Sequence, residues 1–215
     1  NVYLAGKCWA SYLALEQLFG QLDEVEAAAS ARAGAVRCAE SLEAAYDESL
    51  GFIPAVLENN NQSAIIPAAE ALVYPWQMGL KDAVDEEGPF GGYIRMLKRH
   101  LQNILNPEMC LYEDGGWKLS SSADNSWMSK ISISQFVIRE ILGMSYEGEE
   151  RADAAHVSWQ VKGSEFYACS DQFGAGKPIG SLYYPRIVTN ILWMDSDAMK
   201  LRPLPGENSS SNCAL

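Results

Sequence analysis

Apolar residues recur at helical spacing from the start of the chain. Val2, Leu4, Trp9, Leu13 and Phe19 predict a first helix over residues 2–20, which a short turn at Gly20 and Asp23 ends. Residues 23–46 are rich in Ala and Glu, strong helix formers, and predict a second helix. Asn59, Asn60 and Asn61 centre a loop over residues 51–63. A third helix is expected over residues 64–80, with Pro67 in its first turn and Pro75 kinking or ending it. A fourth covers residues 90–105, with Tyr93, Ile94, Leu97, Leu101 and Ile104 on one side, and stops at Asn106-Pro107. After an irregular stretch over 108–123, a fifth helix is expected with Asp124 as its N-cap and Gly143 closing it. A sixth runs over residues 149–169. A short helix or strand is expected over 186–194, and the polar tail 203–215 reads as flexible.

Six helices in sequence pair as three antiparallel αα-hairpins, which makes the fold class all-α. Helices one, three and five are apolar nearly all round, as helices buried on both faces are; two, four and six carry more charge. That alternation suits an (α/α)6 barrel, a toroid of inner and outer helices, of which residues 1–202 would form roughly half. The hairpins share no repeated residue signature, which weakens a solenoid reading.

Composition narrows the function. The 215 residues carry a net charge of -12, against a nucleic-acid partner, since phosphate binding needs clustered Lys and Arg. No apolar run approaches the ~18 residues of a membrane span. Cys8, Cys38, Cys110, Cys169 and Cys213 form no CxxC pair and read as reduced thiols of a cytoplasmic protein. His100 and His156 are too few and too separated for a zinc site. The stretch 173–178 lacks the spacing of a phosphate-binding loop, so no cofactor or metal is expected. Neither a DDxxD motif nor a QxxxGxW repeat is present, which sets terpenoid cyclases aside. Asn1 opens directly on a helix with no charged leader, so the chain reads as a segment of a longer polypeptide.

The chemistry concentrates in residues 113–127. Glu113, Asp114, Trp117, Lys118, Asp124, Asn125 and Trp127 combine carboxylates, an ammonium and indoles on one polar loop. A sugar site uses such groups: flat aromatic faces cover the apolar side of the ring and fixed polar groups meet the hydroxyls. Each also has a structural reading: Asp124 as a cap, Trp127 in the core, Glu113 and Asp114 as solvated turn residues. Arg186 offers fixed donors to sugar hydroxyls, or else pairs with a surface carboxylate. Asp171, expected at the unfavourable C-terminal end of helix six, suggests a positional role beside Arg186. Glu58, Glu70 and Lys130 are further candidates; Glu70 lies in an apolar run and is expected to be buried and paired.

The whole run 111–127, together with residues 1–15, Leu72-Val73-Tyr74-Pro75, 169–173 and Tyr183-Tyr184-Pro185-Arg186, resembles the β-xylosidases of glycoside hydrolase family 52. The resemblance covers nearly the whole chain apart from the tail. It implies an amino-terminal β-sandwich followed by an (α/α)6 barrel, and a retaining enzyme that releases xylose from the non-reducing ends of xylo-oligosaccharides. It also implies that both catalytic carboxylates lie upstream of Asn1. The chain would then hold no catalytic residue and supply one wall of the pocket, with Arg186, Asp171 and the 113–127 loop toward substrate. The missing amino-terminal part would be its partner, and a homo-oligomer is left open. Alternatives are another helical-toroid glycosidase or lyase, and a non-catalytic helical scaffold.

Overall fold

The computed structural model describes residues 1–161, 171–180 and 192–193. Helix α1 spans Val2–Gln21, and the Asn1 side chain accepts the Tyr3 N–H at 2.9 Å as its cap. Asp23, at a φ of 58°, turns the chain into α2, Val25–Ala44. The two helices form the expected hairpin because α2 turns a row of small residues inward, among them Ala31, Gly34, Ala35 and Ala39. Gly34 is required at its place: a Cβ there would come within 2.6 Å of the Tyr12 ring. Trp9, fully buried on α1, packs edge-on against Phe90 and Tyr93 at ring distances of 5.4 and 5.3 Å.

The third expected helix is replaced by a 3-10 segment, Ile66–Leu72, running into a short α3, Val73–Gln77. Two prolines explain the change. Pro67 opens the segment, and Pro75 has no N–H to offer the Ala71 carbonyl, so a continuous α-helical ladder cannot form. Gly79, at a φ of 80°, then ends it. A second 3-10 turn, Lys81–Val84, leads to α4, Gly91–Ile104, where expected.

The fifth helix departs from expectation at its start. Asp124 does not cap it. Residues Asn125–Trp127 are instead strand β1, and α5 begins at Met128 and runs to Phe136. A π-helical turn, Val137–Ile141, continues it to Gly143. Helix α6 spans Glu149–Val161; the rest of the expected sixth helix lies outside the described residues. Gln135 and Arg139 of the fifth segment bond Asp153 of α6 at 2.9 and 3.1 Å, and Arg139 also pairs with Glu149.

A small antiparallel sheet was not expected. β1 pairs with β2 (Gln172–Gly174), and β2 with β3 (Lys177–Gly180). Strands this short carry too little alternation to register in the sequence, and β1 and β2 lie far apart along the chain. The fold is nonetheless largely helical, as the apolar periodicity required. The expected element over 186–194, apart from 192–193, and the tail 203–215 lie outside the described residues. No described helix is long and apolar enough to cross a membrane. Cys8, Cys38 and Cys110 are free thiols; Cys169 and Cys213 are not among the described residues.

Candidate functional site

Three elements deliver charged and aromatic side chains to one point at the start of α1. Tyr3 and Lys7 stand one turn apart on α1, at the i,i+4 spacing that puts side chains on one face. Glu70 comes from the 3-10 segment and Lys130 from the first turn of α5. Glu70 is only 1% exposed. Its carboxylate accepts from Lys130 Nζ at 2.8 and 2.9 Å and from Tyr3 Oη at 3.2 Å, and Lys7 Nζ lies 3.2 Å away. Lys130 Nζ also donates to Tyr3 Oη at 2.6 Å. The Tyr3 ring sits beneath both ammoniums, at 4.4 Å from Lys7 and 4.9 Å from Lys130.

Two ammoniums thus face one buried carboxylate, and each lysine side chain keeps 30% of its surface exposed. Burial pulls the Lys7 pKa down, but hydrogen bonds to Tyr3, Tyr74 and Glu70 and the nearby Glu70 charge outweigh it, so the net direction is upward. Lys130 behaves likewise: burial lowers its pKa and the bonds to Glu70 and Tyr3 raise it further. Both lysines therefore remain charged at neutral pH. The result is a fixed set of donors beside the Tyr3 and Tyr74 rings, suited to holding a hydroxylated or anionic group. Glu70 has its oxygens engaged by three side chains, so it does not resemble a free nucleophile.

The 113–127 loop distributes its residues differently. Glu113, Asp114, Lys118 and Asp124 line a cavity of about 570 Å³, together with Tyr112 and Trp159. Asp114 is engaged within it: Oδ1 accepts the Gly116 N–H at 3.0 Å and Oδ2 accepts Trp159 Nε1–H at 2.7 Å. Lys118 Nζ stands 3.8 Å from the largely exposed Asp124. Trp117 is fully buried, with its indole N–H on Tyr146 Oη at 2.8 Å. Trp127 is half-buried against the core, and Asn125 is exposed on β1.

Asp171, fully buried, faces the N-terminus of α5. It accepts the Ser129 N–H at 2.7 Å and the Ser129 hydroxyl at 3.0 Å. It therefore lies beside a helix start, where the helix dipole favours a carboxylate, and next in sequence after Ser129 is Lys130. Arg186 is outside the described residues. Glu58 is exposed, whereas Glu70 is buried and paired as its apolar surroundings implied. Tyr3 and Lys7 were not singled out from sequence. The mark they leave in the sequence is their i,i+4 spacing in an otherwise apolar run, and that spacing alone names no partner.

Among the described residues no group of three His, Cys, Asp or Glu side chains is placed to hold a metal ion. No protein-family model matches the chain. A β-xylosidase of Geobacillus stearothermophilus is 48% identical over 197 residues, which is 91% of this chain. The chain is therefore similar, along nearly its whole length, to a segment of a β-xylosidase, and it spans 28% of that relative.

Proposed function

We propose that the chain is the carboxy-terminal part of a retaining, β-xylosidase-like glycoside hydrolase of family 52. In this reading the complete protein removes xylose from the non-reducing ends of xylo-oligosaccharides. The nucleophile and acid/base lie upstream of Asn1, and the helical hairpins form part of an (α/α)6 barrel. The observation that carries the proposal is the 48% identity over 197 residues with a β-xylosidase.

The geometry supports a wall role. Retaining hydrolysis needs two carboxylates about 5–5.5 Å apart. Glu70 is committed to Lys7, Lys130 and Tyr3, which suits a structural carboxylate that fixes two donors. Tyr3, Lys7 and Lys130, with Tyr74 alongside, would meet sugar hydroxyls. The 113–127 cavity and Arg186 form the second part of the proposed wall.

The test is hydrolysis of 4-nitrophenyl β-D-xyloside by the complete polypeptide and by its Lys130→Met and Arg186→Ala variants. The proposal expects xyloside turnover in the parent and kcat/KM at least about tenfold lower in each variant, a loss of ~1.4 kcal/mol or more of transition-state stabilisation. A parent without glycosidase activity overturns the enzyme reading. Unchanged kcat/KM in a variant removes that residue from the pocket.

A further inference from the structure

Helix α1 is packed on two sides and bare on a third. Toward α2 and the 3-10 segment it buries Val2, Gly6, Trp9, Ala10 and Leu13. On the opposite face Leu4, Cys8, Ser11, Leu15 and Leu18, continued by Leu22 at the C-cap, follow at steps of four and three, and all are exposed. That spacing keeps them within one narrow stripe of a 3.6-residue helix. The stripe spans about 27 Å, at 1.5 Å per residue. Its ends are the barest leucines, Leu4 at 59% and Leu22 at 61% exposed. It contains no charged residue, although the chain as a whole has 20% charged residues and a net charge of -12. A solvated helix face normally carries its charges there.

We infer that this stripe is the docking face for the part of the same polypeptide that precedes Asn1. The similar β-xylosidase is matched over only 28% of its length, so a chain built like it has ample polypeptide to cover the stripe. The inference rests on the proposed function in taking such a longer protein to exist and its additional part to lie ahead of Asn1. A second copy fits the surface less well: a two-fold pairing would bury one narrow stripe and leave the rest of that longer protein unaccounted for. Lys7 borders the stripe beside Cys8, so a segment seated on it also reaches the edge of the Tyr3–Lys7–Glu70–Lys130 array. The array then stands at a seam between two parts of one protein, and a ligand held there would touch both.

Cys8, inside the stripe, reports on its cover. The experiment is labelling of the native complete polypeptide with N-ethylmaleimide, at two protein concentrations, with peptide mapping of the product and urea-unfolded protein as reference. Cys8 is expected to react at least about 100-fold more slowly in the native protein than after unfolding, equally at both concentrations, because its exposure would require local opening. Reaction at the unfolded rate overturns the inference. Protection that disappears on dilution overturns it in favour of a second copy. A native product with nothing ahead of Asn1 overturns it as well. The labelling needs no turnover: protection of Cys8 in a protein inactive on xylosides would sink the proposed activity and leave this interface standing.

Discussion

Asp171 and Ser129 join the small sheet to the start of α5 through paired hydrogen bonds of 2.7 Å from the Ser129 backbone and 3.0 Å from its hydroxyl. The Asp171 carbonyl adds a third, from the Met128 N–H at 2.8 Å. The first N–H groups of a helix have no intrahelical acceptor, and Asp171 supplies one from a distant part of the chain. It does the capping work expected of Asp124. Asp171→Ala is expected to destabilise the protein by about 1–2 kcal/mol, since it leaves the part-buried Ser129 donors without their acceptor. Asp171→Asn should recover part of that loss. Urea denaturation midpoints check both; an Ala variant as stable as the parent removes the cap.

The Glu70 array sets a second expectation. Glu70→Gln leaves two part-exposed ammoniums without their carboxylate and a buried amide with mismatched partners, so it should cost about 1–3 kcal/mol. Lys130→Met should cost less, because Lys7 still faces Glu70 and Lys130 is itself part-exposed. The coupling of Glu70 with Lys130 is then read from a double-mutant cycle by urea denaturation. Additive losses in the double variant would show that the pair does not act as a unit.

The helices were legible where burial imposed a 3.6-residue period without interruption, as in α1 and α4, or where strong helix formers dominate, as in α2. They depart from expectation where local chemistry overrides that period. Pro67 and Pro75 turned an expected helix into a 3-10 segment and a short α3. Pairing of β1 with β2 drew residues 125–127 out of the expected fifth helix, and such long-range pairing leaves no mark within a local window. The site divides in the same way. Glu70 was legible as a paired carboxylate because a charge in an apolar run has few other options. Tyr3 and Lys7 were not, because only the approach of the 3-10 segment and α5 gives their spacing a purpose. Trp117 looked like a sugar platform by composition, and it is a core residue held by Tyr146.

The hairpin between β2 and β3 contains an improvable turn. Ala175 and Gly176 form its two-residue loop, both with positive φ, at 47° and 73°. That is the arrangement that favours Asn-Gly, and Ala is strained in it by its Cβ. Ala175→Asn is expected to stabilise the protein by about 0.5–1 kcal/mol. Gly176→Ala should do the opposite, since its added Cβ would also come within 2.6 Å of Trp159 Nε1. Thermal melts of the two variants should move in opposite directions; a lower Tm for Ala175→Asn would exclude strain at this turn.

Both histidines make the fold sensitive to acid. Burial pushes the pKa of His100 and of His156 down from 6.5 to about 4. His100 Nε2–H donates to the Ile65 carbonyl at 3.0 Å, and its Nδ1 is buried without a partner, so a second proton has no acceptor. His156 Nε2 accepts the Trp117 N–H at 3.1 Å, and protonation would set two donors against each other. The Asp153 and Asp114 carboxylates raise the His156 pKa and Arg139 lowers it, but burial dominates. The sign follows from the unfolded chain, whose imidazoles take up protons first as pH falls below about 6.5. Stability is therefore full above that pH and is lost on the way down to about 4, by roughly 3 kcal/mol for each ring. His156→Asn preserves an acceptor for Trp117 without the titration. Its stability should fall by about one proton's slope less between pH 6 and 4.5, measured from urea midpoints along a pH series. An identical slope in the parent and His156→Asn would mean that the His156 ring is already protonated in the native protein over that range.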